Sequence, residues 1–184
     1  MRAPSADEVA ARPVERVSAL VALVGADALV DWCTGLLRGG DWTDPELPDL
    51  DWIGGRSSAS MVDKALALDY WPRVWAARGL LHVYRPQAAT AIVAGLSDES
   101  WRVREMCAKV VRAHEVGAAA DELAPLCADE VPRVRAAAVR ALAVVGEAEH
   151  ADAVRDCLDD PEPSVRTAAT GALRTLARRL DRPL

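Results

Sequence analysis

The chain has 184 residues, 51% of them apolar, and a formal net charge of −6. That apolar share excludes a disordered chain, and the length points to one domain with enough chain for a continuous core. The acid excess weighs against nucleic acid as a ligand, because domains that hold a phosphate backbone are ordinarily basic.

Residues 1–40 read as an N-terminal helical cap. Two helices are expected over residues 14–38, broken near Gly25, with small residues (Ser18, Ala22) interleaved with Leu20, Val21, Leu23 and Val24. The apolar stretch Val17 to Val24, followed by Ala26-Asp27-Ala28, mimics a secretory signal. However, Asp7, Glu8 and Glu15 stand where such a signal carries positive charge. No stretch approaches the ~20 apolar residues of a membrane span. Gly39-Gly40 closes the cap.

Residues 41–58 read as an acidic loop. Asp41, Asp44, Glu46, Asp49 and Asp51 are met by no base before residue 52, and Pro45, Pro48, Gly54, Gly55, Ser57 and Ser58 break regular structure. Trp42 and Trp52 sit among these acids. They are either anchors folded back onto the rest of the chain or exposed contacts for a partner; the rarity of exposed Trp favours the first.

From residue 59 the chain reads as an array of helix pairs, over 59–85, 86–117, 118–147 and 148–184. The signal is a repeat. Asp98, Asp129 and Asp160 are each followed, after four residues, by Val103-Arg104, Val134-Arg135 and Val165-Arg166, with a constant period of 31 residues. A period of this size indicates stacked units, not one wrapped core. The second helix of the best copy runs Pro132 to Leu142. Pro suits a first helical turn, and the Ala, Arg and Leu that follow are strong helix formers. Val134, Ala137, Ala138, Ala141 and Leu142 form its apolar stripe. The first helices are shorter: Ala88 to Leu96, Ala119 to Cys127 and Ala151 to Leu158. Ile92, Leu123 and Val154 hold one register in them, and Leu96, Cys127 and Leu158 another. A weaker copy precedes these, in which Asp69 leads to Val74-Trp75 and Trp75 replaces the Arg.

The Asp and Arg columns read as a structural ladder of Asp98, Arg104, Asp129, Arg135, Asp160 and Arg166. A carboxylate before a helix accepts bonds from its free N–H groups, and stacking brings each Arg near the Asp of an adjacent copy. Cys33, Cys107, Cys127 and Cys157 lack Cys-x-x-Cys spacing and fall mostly at apolar helix positions. They read as buried, reduced thiols and hence as a cytoplasmic chain. His82, His114 and His150 form no metal pattern, and no cofactor is expected.

The Asp-x-x-x-x-Val-Arg block with its Ala-rich second helix resembles the HEAT-repeat family, especially the short bacterial HEAT-like, bilin-lyase type, over residues 86–180. The resemblance implies an all-α fold, an α-solenoid of about four helix pairs with an N-terminal cap, that binds other macromolecules on the face of its second helices. On that face this chain places Arg102, Glu105, Lys109 and Arg112, then Arg133, Ala136, Arg140 and Ala143, then Ser164, Thr167, Gly171 and Arg174. The face is net positive and suits an acidic partner. The reading is a non-catalytic adaptor for a protein with an acidic surface or segment. Trp71, Trp75 and Trp101 are its expected apolar anchors, and Arg102, Glu105, Lys109, Arg112, Arg133 and Arg140 its polar contacts; nucleic acid and membrane are not expected. Some HEAT-like solenoids resemble this chain in another way, as DNA glycosylases acting on alkylated bases. That alternative would make Glu105, four residues after Trp101, the catalytic carboxylate.

Overall fold

Local capping sets the first helices. Ser5 and Glu8 form a reciprocal capping box, with each side chain accepting from the other's backbone N–H, at the start of α1 (Ala6–Ala10). Pro13 opens α2 (Pro13–Val24). Gly25, at a φ of 84° that other residues avoid, turns the chain by 117° into α3 (Ala26–Leu37). A single helical turn, α4 (Asp51–Gly54), and then α5 (Trp71–His82) and α6 (Ala89–Gly95) follow. The next helices are α7 (Trp101–His114), α8 (Ala120–Leu126), α9 (Pro132–Val145), α10 (Ala151–Asp156) and α11 (Pro163–Arg179).

This computed structural model describes residues 1–182, and every regular element among them is helical. Residues 183 and 184, the end of the expected fourth repeat, lie outside the described residues. Two compact units divide the chain, residues 1–92 and 93–184. No single described helix is long and apolar enough to cross a membrane; only the bent pair α2 and α3 passes that test together, by length and composition.

In the first unit α5 packs against α3, with α2 and α4 closing the same core. Leu20, Leu29, Val30, Trp52 and Leu80 have no exposed surface. The expected pair over 59–85 is formed differently. Residues 59–70 contain only a short 3₁₀ turn and hydrogen-bonded turns, with Ala67 in the left-handed region, and α3 supplies the helix that covers α5. The expected loop at 41–58 carries α4, whose Trp52 folds back onto α1 and α2. The Trp52 carbonyl accepts from Arg16 Nε at 3.3 Å, and its indole donates to the Arg2 carbonyl at 3.4 Å. Trp42 is half-buried and lines a cleft of about 390 Å³ with Leu36 and Pro72.

In the second unit α7, α9 and α11 lie side by side, α8 packs on α9, and α10 packs on α11, as in an α-solenoid. The repeat columns explain this. Val103, Val134 and Val165 are wholly buried, as are Cys107, Ala138 and Ala169. Small side chains in the second column let the helices approach closely, so dispersion contacts accumulate. One expected register shifts. Leu158 is 36% exposed, and Cys157 is buried in its place. α10 tightens into a 3₁₀ turn over Cys157–Asp159, where side chains recur every third residue, so the position three after Val154 faces inward.

Candidate partner-binding face

The Asp and Arg columns hold the second-unit helices in register. Arg104 forms a forked pair with Asp129, at 2.7 and 3.2 Å, while its Nη1 donates to the carbonyls of Asp98 and Glu99. Arg135 repeats the arrangement on Asp160, at 2.6 and 2.8 Å, and on the carbonyls of Asp129 and Glu130. Each Arg therefore reaches forward to the Asp of the following copy. Arg166 donates to the carbonyls of Asp160 and Pro161. Each Asp also accepts the N–H two residues on, fixing the turn before its helix. Asp160 is held below the usual carboxylate range, first because Arg135 bonds its ionised form and next because Glu162 donates a backbone N–H, while burial opposes both.

The second-helix face is less uniformly basic than its sequence suggests. Glu105 is only 7% exposed, and its carboxylate binds Lys109 Nζ at 2.9 Å and Arg133 Nε at 3.1 Å. Its single charge is shared by those two cations and offsets one of them. Arg102 and Arg133 both lie over the half-buried Trp101 ring, 4.4 and 5.5 Å from its centre, which pre-orders the start of the face. Arg112 and Arg140 are exposed and bind no carboxylate among the described residues; the side chain of Arg140 donates to the Ala136 carbonyl of its own helix. Arg174 is likewise exposed.

Three expected face residues are covered. Trp75 is 2% exposed in the first-unit core, stacked on the half-buried Trp71 with ring centres 5.6 Å apart, so it is a packing residue and offers no surface to a partner. Ala136 and Ala143 are buried, because α7, α9 and α11 pack so closely that a small side chain on this face is covered by its neighbours. The carboxylate that base excision would require, Glu105, is occupied by two cations.

Arg16 and His150 gave no signal of their contacts in the sequence, whereas the cysteines were expected to be buried thiols. Arg16 is buried in the first unit, donating to the carbonyls of Trp52, Val9 and Ala11; burial lowers its pKa, and nearby Arg78 adds to that. His150 is buried, with Nδ1 accepting from the Glu147 N–H and Nε2 bonded to Asp121 at 3.1 Å, tying α8 to α10. All four cysteines are free and buried. Burial pushes the Cys33 thiol up to about 12 and raises Cys107 as well. Cys157 donates to the Cys127 carbonyl at 3.4 Å.

The HEAT repeats family model matches residues 92–174. The fold is similar to the crystal structure of an engineered protein, with a TM-score of 0.57 at 19% identity, over 94% of this chain and 87% of the other. A search of curated proteins gave no match.

Proposed function

Residues 92–174 belong to the HEAT-repeat family, and from that premise we propose that the chain is a non-catalytic adaptor gripping an acidic segment of a protein partner on the face of α7, α9 and α11. HEAT repeats commonly mediate protein interactions. The observation that carries the reading is the pair of exposed guanidiniums bound to no carboxylate among the described residues, Arg112 and Arg140, beside two cations that already share the Glu105 carboxylate. Attraction concentrates on those two groups, and the Trp101 ring, held by Arg102 and Arg133 at the start of the same face, adds an ordered apolar surface. Arg and Trp are the side chains that most often dominate interfaces. The ladder fixes the backbone beneath them, so little ordering entropy is lost on binding. Four free buried thiols support a reducing, cytoplasmic setting.

The test is a pull-down from nuclease-treated cytosol with wild type and the double variant Arg112→Glu/Arg140→Glu, read by mass spectrometry and accompanied by circular dichroism. The reading expects an acidic protein retained by wild type and lost from the variant, with helical content equal in both. An identical retained set from the two proteins would overturn it.

A further inference from the structure

The second-helix face holds a pocket that follows from the repeat columns. One column reads Lys109, Arg140, Gly171 and the next reads Arg112, Ala143, Arg174. Where Gly171 and Ala143 replace long cations, a cavity of about 340 Å³ opens between α9 and α11. A Cβ at Gly171 would meet no atom within 4 Å. Arg112 and Arg140 line the cavity, Ala143, Ala168 and Ala172 pave it, and no carboxylate borders it. Thr167 and Thr175 also line it; each donates its hydroxyl to a carbonyl of its own helix, which leaves oxygen lone pairs for an incoming N–H.

We propose that this pocket seats a glutamate-bearing segment of the partner, its carboxylate between the guanidiniums of Arg112 and Arg140 and its methylene stem on the alanine floor. The assignment rests on the adaptor reading and locates its specificity. Guanidiniums bind carboxylates through charge-assisted bonds, and the apolar floor matches a side chain that carries CH₂ groups below its charge. A nucleic-acid strand fits less well. It requires a track of cations along a backbone, and here the Glu105 carboxylate, shared by Lys109 and Arg133, offsets one of their two charges and interrupts that track.

The experiment is fluorescence polarisation on the full chain. The probe is a fluorescein-labelled octapeptide of alternating glutamate and alanine; a glutamine counterpart and an octathymidylate serve as comparisons. Gly171→Leu fills the pocket without touching a charge and favours helix, and Thr167→Met at the rim fills it independently. Wild type should prefer the glutamate peptide over its glutamine counterpart by about tenfold or more, and each filling variant should weaken it by about tenfold with an unchanged or raised melting midpoint. Arg112→Gln/Arg140→Gln should abolish the preference. Equal binding by wild type and both filling variants, with loss only in the arginine variant, would overturn the pocket and leave the adaptor reading standing. Indifference to the arginine variant, or no binding of the glutamate peptide by wild type, would overturn both. Tighter binding of octathymidylate, blocked by Gly171→Leu, would overturn the peptide assignment in favour of a nucleic-acid strand.

Discussion

Arg135 and Asp160 show how one pair can serve register and stability together. Their side chains are only 12% and 7% exposed, and the contact is forked. By contrast, Arg12 and Glu15 are 78% and 47% exposed, and that pair contributes little. Arg135→Met would leave the Asp160 carboxylate covered and unpaired, at a cost of about 3 kcal/mol in urea unfolding. The pH dependence has a definite sign. Arg135 holds the folded-state pKa of Asp160 below its unfolded value. The stabilisation is therefore fully present above the ordinary Asp pKa, about 4, and is lost as pH falls through the lower folded value. Wild type should exceed Asp160→Asn in unfolding free energy at pH 7, and the gap should close progressively under acid. A gap independent of pH would place the stabilisation in hydrogen bonding alone. This ladder was legible in the sequence because it repeats with the period. Arg16 was not legible: it occurs once, beside an apolar run, and its three carbonyl partners come from segments with no shared pattern.

At the scale of elements, periodicity made the second-unit helices readable, while in the first unit only the helix pair broken at Gly25 was legible. Turns at Asp98, Asp129 and Asp160 and the apolar stripe of α9 follow from spacing alone. The shift from Leu158 to Cys157 does not, because a 3₁₀ turn changes the period by a fraction of a residue. Nor does the pairing of α3 with α5, which joins segments far apart in sequence and of unlike composition. That pairing depends on Gly79, where an added Cβ would stand 2.8 Å from Cys33 Sγ. Alanine there would gain about 1 kcal/mol of helix propensity, but overpacking a filled core costs about 1–3 kcal/mol. Gly79→Ala should therefore destabilise the chain, and Cys33→Ala added to it should recover most of the loss. Urea unfolding of the two single variants and the double variant measures this coupling, and additive effects would show that the sulfur is not the obstacle.

For the whole molecule, charge is distributed by segment. The acids of the 41–51 segment are largely spent on local turns: Asp41, Asp44 and Asp49 each accept a backbone N–H two residues on, and Asp51 accepts from Ser57 and Ser58. The net charge of −6 thus says little about the second-helix face, where the useful quantity is the number of cations without a partner. Sequence columns located that face, and the i, i+4 spacing of Glu105 and Lys109 is visible in them, but they could not show that Arg133 shares the same carboxylate, since that depends on the distance between neighbouring helices. The consequence is measurable as salt dependence. Exposed charges are screened over about 8 Å at physiological ionic strength and about 3 Å at 1 M. Affinity for an acidic partner should therefore fall steadily as salt is raised. Neutralising Arg112 and Arg140 should flatten that slope. Neutralising Arg133 should change it much less, because its guanidinium already faces Glu105. Equal slopes for all three substitutions would mean that the compensation by Glu105 does not hold when a partner is bound.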